Sequence, residues 1–495
     1  MSPPEHQPPG PYLALGVATA LLLALPPLAV GLTPVADLPQ QLAQIPLLLD
    51  VLTGQAPHLT VHWLAPNKIC YPLLGLAWLA FDPLVAARAA RVGIVAAWVA
   101  AGFWMARRRR RSPAQAALAG AVVYNHLFGF GFFNFVLGLG AFLLWIEVNE
   151  ADPERPAART VLEVAAGGLL LYFSHALWLA AGLGWLLVSW AVERPPSIVR
   201  QRQALGVMPS LGLFLLWYPG FVARGWESIS VYGPLPWERL SPRYWIPATL
   251  GAVHGPLEPA LLLALTGWLG LGLWHRRRDL AGAVDRRLLL AALTLAAAAL
   301  LLPIKVDKTL GFAARYQPMA LVLLLLALPP PSLSGLRRRA VALAVVAAFA
   351  LGTTAIWIGF EREELAGLRE ALEHLPAEPR VLGLDLYRSS PRVRYPAYLQ
   401  SFAYAQLVAG GELNFSFTDL PSSLVVRRVW TSDPWTPHLE WEPEEVEPDD
   451  LDHFDFLLAH ASQRGHRRLV ADLGRLVPVT DGRRWRLYRV AAAGG

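Results

Sequence analysis

Five consecutive arginines, Arg107 to Arg111, close an apolar run, and the same punctuation recurs at Arg276 to Arg278 and at Arg337 to Arg339. About 20 apolar residues in a helix cross the roughly 30 Å hydrocarbon layer of a bilayer. Arginine and lysine beside such a helix hold that end in the cytoplasm. A chain punctuated in this way is confined to a bundle of membrane helices whose connections alternate between the two faces.

Composition agrees. The 495 residues are 55% hydrophobic and only 16% charged, with a mean hydropathy of +0.39, which excludes an ordinary soluble globular protein. The net charge of +6 and isoelectric point near 9.5 do not indicate nucleic acid, because the basic residues sit in short runs against apolar segments. A single cysteine, Cys70, rules out an intramolecular disulfide framework and reads as a packing residue. The N-terminus, MSPPEHQPPG, lacks the basic start of a secretory signal, so the first run reads as a retained anchor.

The runs predict about eleven transmembrane helices. They cover 12–32, 88–105, 114–128, 133–148, a hairpin of two short helices over 161–192 broken near His175, then 204–218, 256–274, 288–304, 318–328 and 340–360. The arginine-rich connections all fall on one side. With that side inside, the N-terminus is cytoplasmic and residues 361–495 lie outside. That last part alternates helical patterns with apolar strands such as RVLGLDLY and FDFLLAH, and predicts a soluble extracytoplasmic α/β domain. The expected division is 1–360 in the membrane, with 33–87 as the first outer loop, and 361–495 beyond it.

The polar groups gather toward the outer face rather than mid-bilayer, which suits an interfacial site better than a transport path. Asp37 follows the first run directly and could act as a general base, a metal ligand or the N-cap of a helix beginning Leu-Pro. All three lysines, Lys68, Lys305 and Lys308, lie on this side with Arg315, a composition suited to a lipid phosphate or to snorkelling beside the membrane. His58 and His62 have the i, i+4 spacing of a helical metal pair, but Pro57 and the LTVHW context favour a strand, and no metal site is assigned. Asn125, His126, His175, Glu227, Tyr232 and His254 complete the candidates for lining a substrate site. The aromatics Trp226, Tyr232, Trp237, Tyr244 and Trp245 suit an interfacial belt or a sugar-stacking platform.

An acidic residue just past the first helix, a polar stretch, the segment YPLLGLAWLAF and then AARAARVGIVAAW leading to the arginine run resemble the first outer loop of the GT-C membrane glycosyltransferases. Protein O-mannosyltransferases and lipid A aminoarabinose transferases belong to that superfamily. The resemblance implies an inverting glycosyltransferase that uses a polyprenyl-phosphate sugar at the outer face of a bacterial cytoplasmic membrane. It implies Asp37 as the catalytic acid of the loop, YPLLGLAWLAF as a membrane-surface helix, and Arg315 in GFAARYQP as a contact to the donor phosphate. Many members carry paired acids where this chain has ADLPQQ, and the resemblance leaves the need for a divalent metal open. Two other classes stay in view: a polysaccharide polymerase, ligase or lipid-linked sugar flippase, and a non-catalytic membrane scaffold.

Overall fold

The computed structural model describes residues 10–222, 230–306, 309–429 and 433–492. Helices α1 (Gly10–Leu23) and α2 (Leu25–Ala29) form the first apolar rod, with α2 opening on Pro26 and Pro27, which a first turn tolerates. The first loop then holds α3 (Leu38–Leu52), strand β1 (Leu59–Val61) and α4 (Tyr71–Ala80) before α5 (Pro83–Arg108). The bundle continues through α6 (Pro113–Ala121), α7 (His126–Phe130), α8 (Phe133–Val148), α9 (Ala157–Ser174), α10 (Ala176–Glu193) and α11 (Ser197–Val222). After β2 (Ser230–Val231) come α12 (Pro242–Thr249), α13 (Leu257–His275), α14 (Leu280–Ala283) and α15 (Arg286–Leu301). The hairpin of β3 (Lys305–Val306) and β4 (Thr309–Leu310) leads to α16 (Tyr316–Ala327) and the long α17 (Gly335–Gly359).

Seven helices among the described residues are long and apolar enough to cross a membrane, where about eleven were expected. The difference lies in α6, α8, α15 and α16, which have 9, 16, 16 and 12 residues. At 1.5 Å per residue, 12 residues rise about 18 Å, well short of the hydrocarbon thickness. α6 is buried along its whole length and α16 along nearly all of it. An all-round apolar helix inside a protein gives the same sequence signal as a lipid-facing one. The break expected at His175 is present, separating α9 from α10, each of 18 residues.

The bundle has two chemically different ends. At one, Arg108 reaches Glu147 at 2.9 Å, Arg109 pairs with the same carboxylate, and Arg287 approaches Glu193 at 3.4 Å. The start of α1 lies here, since the Tyr12 hydroxyl donates to the Arg111 carbonyl at 2.6 Å. The Arg111 guanidinium donates to the carbonyls of Leu326 and Ala327, both at 2.8 Å, and so caps α16. The other end carries the break at His175, the first loop and the C-terminal segment.

That segment begins with a π-helical turn, Phe360–Glu364, and α18 (Leu368–Glu373). It then adds β5 (Arg380–Asp385), α19 (Tyr404–Ala409), β6 (Glu412–Leu413), β7 (Val425–Arg427), β8 (Phe456–His460), α20 (Gln463–Leu473), β9 (Leu476–Pro478) and β10 (Trp485–Val490). Five of these strands form one sheet in the order β6-β5-β8-β10-β9, parallel on both sides of β5 and antiparallel beyond β8. β7 leaves this sheet and pairs antiparallel with β1 of the first loop, Leu59 opposite Arg427 and Val61 opposite Val425. Glu361 Oε1 accepts from the amides of Gly31 and Leu32 at 2.9 and 2.7 Å, tying the start of the C-terminal segment to the start of the loop. One hydrophobic core runs from Tyr12 in α1 to Leu487 in β10, and a smaller cluster around Leu382, Leu457 and Tyr488 lies against the sheet.

Candidate functional site

Asp37 occupies the N-cap position of α3, as its Leu-Pro context predicts, but its side chain caps nothing. The reason is the backbone. A capping side chain reaches the following amides from an extended residue, and Asp37 has φ −83° and ψ −5°. Its amide instead donates to the Phe130 carbonyl at 3.0 Å, and Ala36 donates to Gly129 at 3.0 Å, so the loop is laced to the turn after α7. That turn closes on Gly131 at φ +85°, where a Cβ would come within 3.0 Å of the Asp37 Cβ. Only glycine meets both demands. Gln41 completes the lacing by donating from Nε2 to the Gly131 carbonyl at 2.6 Å.

Half-buried, the Asp37 carboxylate has no hydrogen-bond or ion-pair partner among the described residues, but it lies within electrostatic reach of Arg315. Burial pushes its pKa up to about 7, and the guanidinium restrains the rise. Arg315 itself is 5% exposed and is pulled down by burial to about 10, so it stays charged at neutral pH.

The setting of Arg315 is largely aromatic. Its guanidinium carbon lies 4.0 Å from the centroid of Phe132 and 5.8 Å from that of Phe135. Its Nη1 is 3.2 Å from Nε2 of His175, whose Nδ1 accepts from the Leu177 amide at 3.1 Å and caps α10. Burial and the nearby guanidinium hold the His175 ring well below the usual imidazole range. His126 is buried with neither ring nitrogen partnered among the described residues, and burial, then Arg315, lowers it to about 3. Three candidates from distant parts of the chain, Asp37, His126 and His175, therefore lie within electrostatic reach of one positive charge, Arg315.

The remaining candidates are placed elsewhere. Lys68 donates from Nζ to the carbonyls of Ser422 and Ser423 at 3.0 and 2.8 Å, and burial pulls it down to about 7, so it clasps the C-terminal segment. Lys305 lies in β3, and no hydrogen bond or ion pair joins it to Asp37, His175 or Arg315. Lys308 and Glu227 lie outside the described residues. His58 is exposed just before β1 and His62 follows its end with Nδ1 3.3 Å from the Pro421 carbonyl, so the two share no helix face. Asn125 caps α7 through the amides of Leu127 and Phe128, at 2.8 and 3.4 Å. Tyr232 and His254 are exposed and contribute backbone groups, to Arg239 and Arg392 respectively.

Gln41, Gly131, Phe132 and Phe135 were not singled out from the sequence. The one available signal is the pair of glycines in HLFGFGFF, whose second member sits at a turn. Among the described residues no three His, Cys, Asp or Glu side chains converge as a metal site would require. Around Asp37 the donor set is one carboxylate within electrostatic reach of a guanidinium, which does not fit a divalent cation.

No family model matches the chain, and no curated protein matches it in sequence. Among solved structures, it is similar to the cryo-EM structure of the arabinofuranosyltransferase AftD from Mycobacteria, at 15% identity and a TM-score of 0.48. The overlap covers 99% of this chain and 40% of that one, so the chain spans less than half the length of AftD.

Proposed function

We propose that this multi-pass membrane protein is a glycosyltransferase of the GT-C kind, passing a sugar from a polyprenyl-phosphate donor to an acceptor hydroxyl at the outer face of a bacterial cytoplasmic membrane. The observation that carries the reading is the uncapped Asp37 carboxylate within electrostatic reach of the buried Arg315. A carboxyl that titrates near 7 is a usable general base at neutral pH. A fixed cation within its reach is what a departing phosphate requires.

In the proposed reaction Asp37 accepts the acceptor's hydroxyl proton as that oxygen bonds to the anomeric carbon. The bond from that carbon to the phosphate oxygen breaks on the opposite side, inverting the centre. The electron pair leaves with the polyprenyl phosphate, whose charge Arg315 counters. No step is routed through a metal. The arginine-rich end then faces the cytoplasm together with the N-terminus, and residues 361–495 form the extracytoplasmic α/β domain with membrane lipid and donor as partners. A scaffold gains nothing from an unpaired, recessed carboxylate, which costs stability at neutral pH.

The test uses membranes carrying the full chain and a panel of polyprenyl-phosphate sugars, with release of polyprenyl phosphate as the readout. Asp37→Asn is expected to cut release about 10²- to 10⁴-fold, the usual worth of a general base, at unchanged protein level. Full activity in that variant removes the mechanism.

A further inference from the structure

A cavity of about 270 Å³ separates α3 and α4 of the first loop from α19 and the turn before β5, and neither Asp37 nor Arg315 lines it. We propose that this cavity binds an organic ammonium group, held by the Asp50 and Glu378 carboxylates against the Trp78 indole. The assignment is independent of the transferase reading. Both carboxylates line the cavity, and neither has a hydrogen-bond or ion-pair partner among the described residues. Burial, and then the charge of Glu378, raises the pKa of Asp50, and no cation among the described residues restrains the rise as Arg315 does at Asp37.

Two like charges on one cavity call for a cation, and the rest of the wall says which kind. Calcium takes about six to eight oxygens. Here two carboxylates share the space with Trp78, Pro46, Leu47 and Leu407, and no three His, Cys, Asp or Glu side chains converge among the described residues. An indole face attracts an ammonium, and apolar walls accept the carbon that bears it. No cation among the described residues lies over the Trp78 ring, so that face is open to a ligand. A neutral sugar would stack on the indole but leave both charges uncompensated.

The backbone holds one of the two carboxylates in place at some cost. Glu378 has φ +53°, a conformation uncommon for a residue with a Cβ. Its amide donates to the Ala409 carbonyl at 2.8 Å, and Gly411, at φ +77°, lies so close that a Cβ there would strike the Pro379 carbonyl. Gln406 Nε2 donates to the Gly411 carbonyl at 3.0 Å and fixes the turn to α19. The tight turn thus carries a carboxylate to the cavity at a position where its backbone favours glycine. At the rim Val408 is 40% exposed, and Leu79, beside Trp78, is 75% exposed, so the alkyl part of an amine continues onto an apolar surface. A soluble alkylamine and an aminolipid head group share this chemistry.

The experiment measures binding of butylammonium, butanol and calcium to the full chain in phosphatidylglycerol nanodiscs at neutral pH, in parallel with thermal unfolding. Wild type is expected to bind butylammonium and to bind neither butanol nor calcium comparably. Asp50→Asn combined with Glu378→Gln is expected to weaken butylammonium about 10- to 100-fold, the worth of one hydrogen bond to a charged group. Trp78→Leu is expected to weaken it about 3- to 30-fold. The double variant removes a repulsion, so it should unfold at or above the wild-type temperature, and its loss of binding is then not a loss of fold. Undiminished binding by the double variant, butanol binding as tight as butylammonium, or tighter binding of calcium overturns the proposal. Nanodiscs of phosphatidylethanolamine identify the source. Weaker butylammonium binding there, in wild type alone, upholds the site and assigns it to a lipid head group; equal binding in both lipids upholds it for a soluble amine.

Discussion

A carboxyl that titrates near 7 ties the chemistry of Asp37 to its stability, with opposite signs. As a base it works only when ionised, so transfer is expected to rise tenfold per pH unit below about 7 and to level off above it. Arg315→Met removes the attraction that restrains the carboxyl, so the midpoint of the profile should move to higher pH as the plateau falls. A profile that keeps its midpoint in this variant argues against their coupling. For stability, the folded chain holds a proton that the unfolded chain releases near the ordinary value of 3.8. Stability contributed by this group therefore falls as pH rises between about 3.8 and 7. Asp37→Asn has no such loss, and is expected to melt above wild type at pH 8 by a margin that shrinks toward pH 5. Calorimetry in detergent at the two pH values checks the sign.

At the scale of elements, α3 is the piece on which loop and C-terminal segment meet. Gln40 is fully buried: its Nε2 donates to Gln400 Oε1 at 3.0 Å and to the Phe415 carbonyl at 3.1 Å, and its Oε1 accepts from the Phe417 amide at 3.0 Å. Gln44, also fully buried, accepts from the Val425 amide at 2.7 Å. Gln40→Leu strands the Phe417 amide and is expected to cost about 1–3 kcal/mol, seen as faster proteolysis of the C-terminal segment. Unchanged cleavage would show that this junction is not held by Gln40. The sequence made α3 legible as a helix that begins after Asp37, but its glutamines resemble a solvated face, and their buried partners lie in a segment no local pattern points to. The same limit applies to the site. Asp37, His175 and Arg315 could each be picked out by type and position, yet the 3.2 Å contact of His175 with Arg315 joins residues 140 apart in the chain. The direction of the Asp37 side chain depends on a backbone angle that periodicity does not report. The long rods α5, α11, α13 and α17 were readable because length and apolarity decide them. The shortness of α6 was not, since apolar residues up to 128 extend the run past the helix, whereas the run at 318–328 already had about the length of α16 and only its reading as a span differed.

At the scale of the whole molecule, the separation of an arginine-rich end from the Asp37 end makes orientation measurable. Cys70 is free and buried, so the native chain gives little background to a thiol reagent. A cysteine at exposed Ser332, beside the arginine-rich end, is expected to react with an impermeant maleimide only after cells are opened, and one at exposed Gln55 to react in intact spheroplasts. The reverse pattern would invert the protein. The pairing of β1 with β7 also bears on how the protein is made. Gln40 and Gln400 are 360 residues apart, a stretch that takes on the order of 20–70 seconds to synthesise. For that time the first loop has neither its strand partner nor the glutamine contacts beneath it. A ribosome that stops short of β7 releases a chain with its membrane rods in place and its Asp37 loop unbraced. Premature termination should therefore yield inert protein rather than a weakly active one, and the cell has an interval of up to about a minute in which a chaperone can act on the unbraced loop.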